Sequence, residues 1–437
     1  MEDYDMKPIL RNAMLAVVAL GFVATSATAQ TKVSLWHIWD PNAAQGKIYQ
    51  EYVKEFEAAN PGVKVEVVVT PHKNYFQRLA AAIAAGEGPD AFALTYRRLL
   101  DFEANGVISP IDAGAAKSMG HASVDALRKA WAPGSLESYQ VGDRLYGVPL
   151  QFNIYAWIIN AKHFREAGLD PVKDAPKTWD DAHAVAKKLV KKDDKGRITR
   201  QAISFPFVAS AAWYLLEFEP VLRELGGSIL NADQTESLVN SEAAIKTMET
   251  IRKRFDLGVS DKDIAASLDY YREGFPTGKF SMTIGGNWGI PRWVKNFKGV
   301  VKESDFLAIP TPTFAGRKTA TSTTGWAWAV FNNSKNKSAA WKLADFLTSQ
   351  PARHLKETGD IIPRAGWSES EAAKSIPQAA FWEDMLQYSQ PLAKIRNYSE
   401  VSEILKKAME EILLSGKDIK ATLDRAKADI DAVLKRG

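Results

Sequence analysis

The sequence contains no cysteine. That absence excludes disulfides and thiolate metal sites, and it removes the lipid-bearing cysteine that tethers many exported proteins of single-membrane bacteria. A strong charge bias is missing too: 56 basic and 52 acidic residues leave a net +4 with no concentrated basic tract, so the surface that nucleic acid demands is lacking. No internal repeat or low-complexity linker interrupts the chain, the six histidines form no H-E-x-x-H or other metal-ligand spacing, and no G-x-S-x-G nucleophile elbow occurs. Beyond the N-terminus no apolar run reaches the roughly 20 residues that span a bilayer.

What is present points first to export. Lys7 and Arg11 make a positive n-region, Ala13 to Ala24 an apolar h-region and Ala27-Thr28-Ala29 an A-x-A cleavage site, so residues 1–29 read as a signal peptide and the mature chain begins at Gln30 or Thr31. An N-terminal membrane anchor is the competing reading, for which the run is short. An acidic prefix, MEDYD, precedes Met6, and a start at Met6 would leave an ordinary n-region. A soluble protein of an enclosed export compartment is expected, and a Gram-negative periplasm fits best.

At 437 residues, 46% of them hydrophobic, the chain exceeds the size at which one core keeps growing, so two lobes are expected. From Thr31 the order is strand, helix, strand, helix, strand. KVSLWHIWD opens; a helix follows with Ile48, Tyr52 and Phe56 at four-residue spacing; Val63 to Val69 is a nearly continuous β-branched run, the pattern of a strand covered on both faces. This spacing predicts a parallel sheet, whose ligands sit at the carboxyl ends of its strands. Those ends carry His37, Trp39 and Asp40, then Pro71 to Tyr75, then Thr95, Tyr96, Arg97 and Arg98. Gly142 to Asn160 reads as a hinge, because Pro149 breaks an apolar run and a proline does not suit a strand deep in a sheet. Beyond it Thr178 and Asp181 form a capping box, Ser241 caps a helix, a strand over Phe280 to Ile284 runs into Gly285-Gly286-Asn287-Trp288, and a final strand, Trp326 to Phe331, follows the polar approach TATSTTG.

In order along residues 31–437 stand VSLWHIW, EFEAANPGVKVEV, LAAAIAAGEGPDAFAL, ANGVISPID, LYGVPLQFNIYAWIIN, PKTWDDAHAVAKKL, GKFSMTIGGNW, AIPTP, TTGWAWAV and KSAAWKLADFLTSQPARHLKETGDIIPR. This series resembles the carbohydrate-type extracellular solute-binding proteins of ABC importers (family 1, maltose-binding-protein-like). The resemblance implies an α/β fold of the periplasmic binding protein type II, two α/β lobes joined by hinge crossings with the ligand cleft between them. It places 31–142 with 311–348 in the first lobe and 143–310 with 349–437 in the second. It implies no cofactor and no catalysis. The partners would be a sugar, held by a monomer through lobe closure, and the membrane permease subunits with their ATPase.

A sugar offers hydroxyl edges and apolar C–H faces, so planar polar side chains and aromatic rings are its natural partners. His37, Trp39, Asp40 and Thr95 belong to the first rim. By resemblance, Arg98 matches a ligand-contacting arginine and Trp288, beside Asn287, a stacking tryptophan; Arg97 and Asn153 stand where the familiar relative has acids, which points to another ligand. Tyr155 and Gln151 neighbour Asn153, and strand alternation is expected to let only some of the three face the cleft. Trp213, Tyr398, Gly325, Trp326 and Arg364 complete the candidates. Arg97, Arg98 and Arg364 leave an anionic sugar open as an alternative. Two other classes also stay open: a secreted carbohydrate hydrolase, which needs two facing carboxylates, and a ferric or other solute receptor using Tyr270-Tyr271, a pair that core packing in an amphipathic helix explains better.

Overall fold

A computed structural model describes residues 30–267 and 270–436. The expected signal peptide lies outside the described residues. Strand Thr31–His37 buries every second side chain, Val33, Leu35 and His37. It pairs in parallel with Val63–Val69 on one edge and Ala91–Thr95 on the other, with helices Ala44–Ala59 and His72–Ala84 as the crossovers that parallel pairing requires. Ile48, Tyr52 and Phe56 all turn inward and meet Val33 and Leu35 in one core. The reading of Val63–Val69 as covered on both faces is corrected: it is the outermost strand of the sheet, and Val65 alone is buried while Val67 is 36% exposed. β-branched residues suit the pleated backbone whether or not a second layer covers them.

The sheet continues through Thr321–Val330, Val148–Asn160, Phe280–Gly286 and Ile198–Ile203 to Lys191–Lys192. Val148–Asn160 is buried at all 13 positions. Its first half pairs with Thr321–Val330, from Val148 opposite Trp328 to Ile154 opposite Thr323; its second half pairs with Phe280–Gly286 and, on the other edge, with Phe306–Ile309. One strand therefore belongs to both halves of the sheet. The expectation that Pro149 breaks this run is corrected: it sits inside the strand, opposite Ala327, where the register slips between Trp326 and Ala327. A bulge is where a sheet tolerates a residue without an N–H. Thr321–Val330 begins within the polar run first read as its approach, and Thr321 to Thr323 find partners in Ser389–Pro391.

The buried side chains form three clusters. The first joins the N-terminal strands to Leu145, Val148, Leu150, Trp326, Trp328 and Trp341. The second gathers Trp157, Leu222, Met248, Leu405 and Ile430, and the third Ile154, Phe275, Trp293, Phe306 and Trp382. The capping box of Thr178 and Asp181 and the Ser241 cap form as expected. No described helix is long and apolar enough to cross a membrane.

Gly325 is required by a close approach: a Cβ there would stand 2.2 Å from the Gln151 carbonyl oxygen. Gly325→Ala is expected to push the two central strands apart and cost about 1–3 kcal/mol, as overpacking does; a urea denaturation midpoint equal to that of the parent would refute this. His37, His163, His183 and His354 are buried. Desolvation lowers their pKa, to about 4 for His37, His183 and His354 and to about 3 for His163. The unfolded chain therefore binds more protons than the folded one below the ordinary value of 6.5. Stability from this source is complete above that pH and is lost as pH falls toward the folded values. The urea midpoint should be lower at about pH 5 than at about pH 7, and equal midpoints would show that these rings fold protonated.

Candidate functional site

The carboxyl ends of the N-terminal strands and the middle of Val148–Asn160 converge on a cavity of about 880 Å³. Gln151, Asn153 and Tyr155 all line it, beside Thr324 of the neighbouring strand. The expectation that only some of the three would face the cleft is corrected, because residues i, i+2 and i+4 of a strand share one face. Asn153 Nδ2 donates to Thr324 Oγ1 at 3.3 Å, and its buried Oδ1 has no partner among the described residues. Gln151 Nε2 donates to Asp360 Oδ1 at 2.7 Å, and Gln45 Nε2 to Asp360 Oδ2 at 3.0 Å. Arg292 lies 3.7 Å from the same buried carboxylate.

Two aromatic walls rise from this floor. On one side Trp39 and Trp326 meet edge to face with centroids 6.0 Å apart, and Phe76 stacks on Trp326 at 5.9 Å. On the other Trp213 stands 6.3 Å from Trp288 and 5.9 Å from Tyr155. The Trp288 indole folds back over Gly286, where a Cβ would lie 2.5 Å from Nε1; that nitrogen is buried without a partner among the described residues. The Arg292 guanidinium sits 4.4 Å over the Trp288 ring, a cation–π contact that fixes both. Arg97, at the end of Ala91–Thr95, reaches the cavity between the walls.

The structure thus brings Trp39, Arg97, Gln151, Asn153, Tyr155, Trp213, Trp288 and Trp326 together, with His72 from the second rim segment. The remaining candidates do not line the cavity. His37 is buried, its Nδ1 accepting the Trp39 N–H at 3.2 Å. Asp40 accepts the Asn42 N–H at 2.8 Å and ends its own turn. Thr95 is buried opposite Trp326. Arg98 covers Phe76 at 5.3 Å and lies 3.8 Å from Asp101. Asn287 Oδ1 accepts the Ile154 N–H at 3.0 Å, joining two strands. Gly325 lies under Gln151, and Tyr398 is buried behind Arg97, its ring 6.0 Å from the guanidinium. Arg364 donates to Asp345 Oδ1 and Thr348 Oγ1, each at 2.7 Å, and covers Trp131 at 4.1 Å. Tyr271 packs against Trp288 and Trp293, each at 4.8 Å, whereas the Tyr270 side chain lies outside the described residues. Among the described residues no three His, Asp or Glu side chains are grouped to hold a metal ion.

Gln45, Ser210, Arg292, Lys295 and Thr324 line the cavity without having been singled out. Arg292 was findable, since it lies one helical turn beyond Trp288. Gln45 and Ser210 carry no comparable local signal.

Known proteins share this architecture. The family described as bacterial extracellular solute-binding protein matches residues 40–353. A putative binding protein of Brucella abortus is 26% identical over 97% of both chains. The maltotriose-binding protein of Pyrococcus abyssi is 25% identical over 93% of this chain and 80% of its own. The solved structure of the sugar-binding protein MalE from Xanthomonas citri superposes with a TM-score of 0.76 at 21% identity, covering 93% of this chain and 98% of that one. Such structural neighbours are type II periplasmic binding proteins, and the curled α/β sheet described above is theirs.

Arg364 separates a structural from a binding role. Arg364→Ala strands a half-buried carboxylate and uncovers Trp131, so the urea midpoint should fall by the equivalent of about 1–3 kcal/mol. Arg364→Lys should not restore it, because a lysine cannot fork between Asp345 and Thr348 while lying flat on an indole. An unchanged midpoint in the alanine variant would free Arg364 for a ligand.

Proposed function

This chain belongs to the bacterial extracellular solute-binding proteins, which work outside the cytoplasmic membrane, and we propose that it is the sugar-capturing receptor of an ABC importer. The observation that carries this reading is the cavity itself: paired tryptophans on facing walls over a floor of planar amides and a phenol. Rings of that kind stack on the C–H faces of a saccharide, and the polar groups lining the cavity, Arg97, Gln151, Asn153 and Ser210 among them, are of the kind that meets its hydroxyls. The Pyrococcus relative and the Xanthomonas neighbour, named for maltotriose and sugar binding, support the ligand class.

In this reading the lobes are 31–142 with 311–348 and 143–310 with 349–437. The change of lobe is completed along Val148–Asn160, where side chains pass from the first core at Val148 and Leu150 to the others at Ile154 and Trp157. A ligand touching both walls favours the closed arrangement through its differential affinity for it. The closed monomer then docks on the permease subunits, and their ATPase drives transport. In this reading residues 1–29 act as the signal peptide that takes the protein to the periplasm. A hydrolase fits the cavity poorly, since Glu357 is the only carboxylate among its described lining residues and is ion-paired with Arg353 at 3.2 Å.

A thermal-shift screen of mono- and oligosaccharides tests the reading, because a bound ligand raises the midpoint by mass action. A sugar that shifts it should be recovered unchanged; turnover would make the protein an enzyme. For that sugar, Trp288→Ala is expected to weaken binding by tens-fold, or about 2 kcal/mol for a buried aromatic anchor. An unaltered isotherm would remove Trp288 from the site.

A further inference from the structure

The charge of the cavity is one-sided. Lys47, Arg97, Arg292, Lys295 and Lys356 line it against the single carboxylate of Glu357, which Arg353 already holds. Arg292 has the buried Asp360 at 3.7 Å, but both oxygens of that carboxylate already accept amide donors from Gln151 and Gln45. The lining therefore stays positive even with Asp360 counted.

Arg97 is the most telling of these cations. It is half-buried at the floor of the cavity and forms no ion pair with any described residue; its charged neighbours are replaced by the faces of Tyr96 at 5.6 Å and Tyr398 at 6.0 Å. Tyr139 and Tyr398, whose hydroxyls are buried without a hydrogen-bond partner among the described residues, stand close enough for its charge to act on both. Burial pushes the Tyr139 phenol well above its ordinary pKa and the Tyr398 phenol up to about 12, so both remain protonated at neutral pH. The acids whose charge reaches Tyr398 have cations of their own: Glu219, which burial pushes up to about 7, lies 3.6 Å from Arg223, and Glu403 lies 3.8 Å from Lys406. Arg97 is left beside neutral phenols with no carboxylate paired to it among the described residues. A cation removed from water without a counter-charge is costly unless a bound group completes it.

We propose that the natural ligand is an acidic saccharide, carrying a carboxylate, phosphate or sulfonate, whose anionic group pairs with Arg97 while its sugar ring lies against the tryptophans. This rests on the sugar-receptor reading above. The guanidinium fork matches the paired oxygens of such a group, and the surrounding lysines and Arg292 raise the local concentration of anions.

The test is calorimetric titration of the mature chain with matched pairs: D-glucuronate, glucose 6-phosphate and 6-deoxy-6-sulfoglucose against glucose, and galacturonate with its oligomers against galactose and malto-oligosaccharides. At least one acidic sugar should bind about tenfold or more tightly than its neutral partner, and which of the three groups does so identifies the anion. Arg97→Gln should erase that preference, Arg97→Lys should keep part of it, and thermal midpoints report whether each variant is folded. Added salt should weaken acidic ligands selectively in the parent protein, a measurement that needs no variant. Neutral sugars bound as tightly as acidic ones, or a folded Arg97→Gln that retains the preference, would overturn the proposal and leave the receptor reading standing. If neither kind of saccharide binds, the sugar reading falls and this proposal with it.

Discussion

The backbone pairing of Val148–Asn160 is the constraint on which the molecule depends. A strand buried along its whole length cannot leave its N–H and C=O groups unpaired, and this one satisfies them with Thr321–Val330 in its first half and with Phe280–Gly286 and Phe306–Ile309 in its second. Because the pleat alternates, the same pairing that joins the two halves of the sheet delivers Gln151, Asn153 and Tyr155 to the cavity and sends Leu150, Ile154 and Ile158 into cores. Architecture and site floor are one piece of chain.

The walls follow from the same economy. Trp39 and Trp326 are backed by the first core, Trp213 and Trp288 by the others. Each ring is held by neighbours that are themselves packed, such as Phe76 behind Trp326 and Tyr271 behind Trp288. Trp288 needs more than packing: its indole occupies the space that a side chain on Gly286 would fill, and Arg292 closes over its face. Rings fixed in this way lose little freedom when a ligand arrives, which is how preorganisation contributes to affinity.

Much of this was legible from residue pattern. Ile48, Tyr52 and Phe56, the capping box at Thr178 and the cap at Ser241 all signal through local spacing, and local spacing survives folding. The failures share a cause. Val63–Val69 looked covered because β-branched residues report a backbone preference, whereas burial depends on where the strand falls in the sheet order. Arg98 was drawn to the site by resemblance and Arg364 by its place on the loop after Pro363, yet Asp101, Asp345 and Trp131, which hold them elsewhere, are placed by tertiary structure. Gln45 was invisible because its role arises through Asp360, 315 positions away.

Asp360 carries a consequence of its own. Gln45 rides on a helix of the first core, Gln151 on the strand common to both halves, and Arg292 on a helix of the other side. Asp360 thereby acts as a clasp: one buried carboxylate fastens three segments of the chain, far apart in sequence, at a single point beside the cavity.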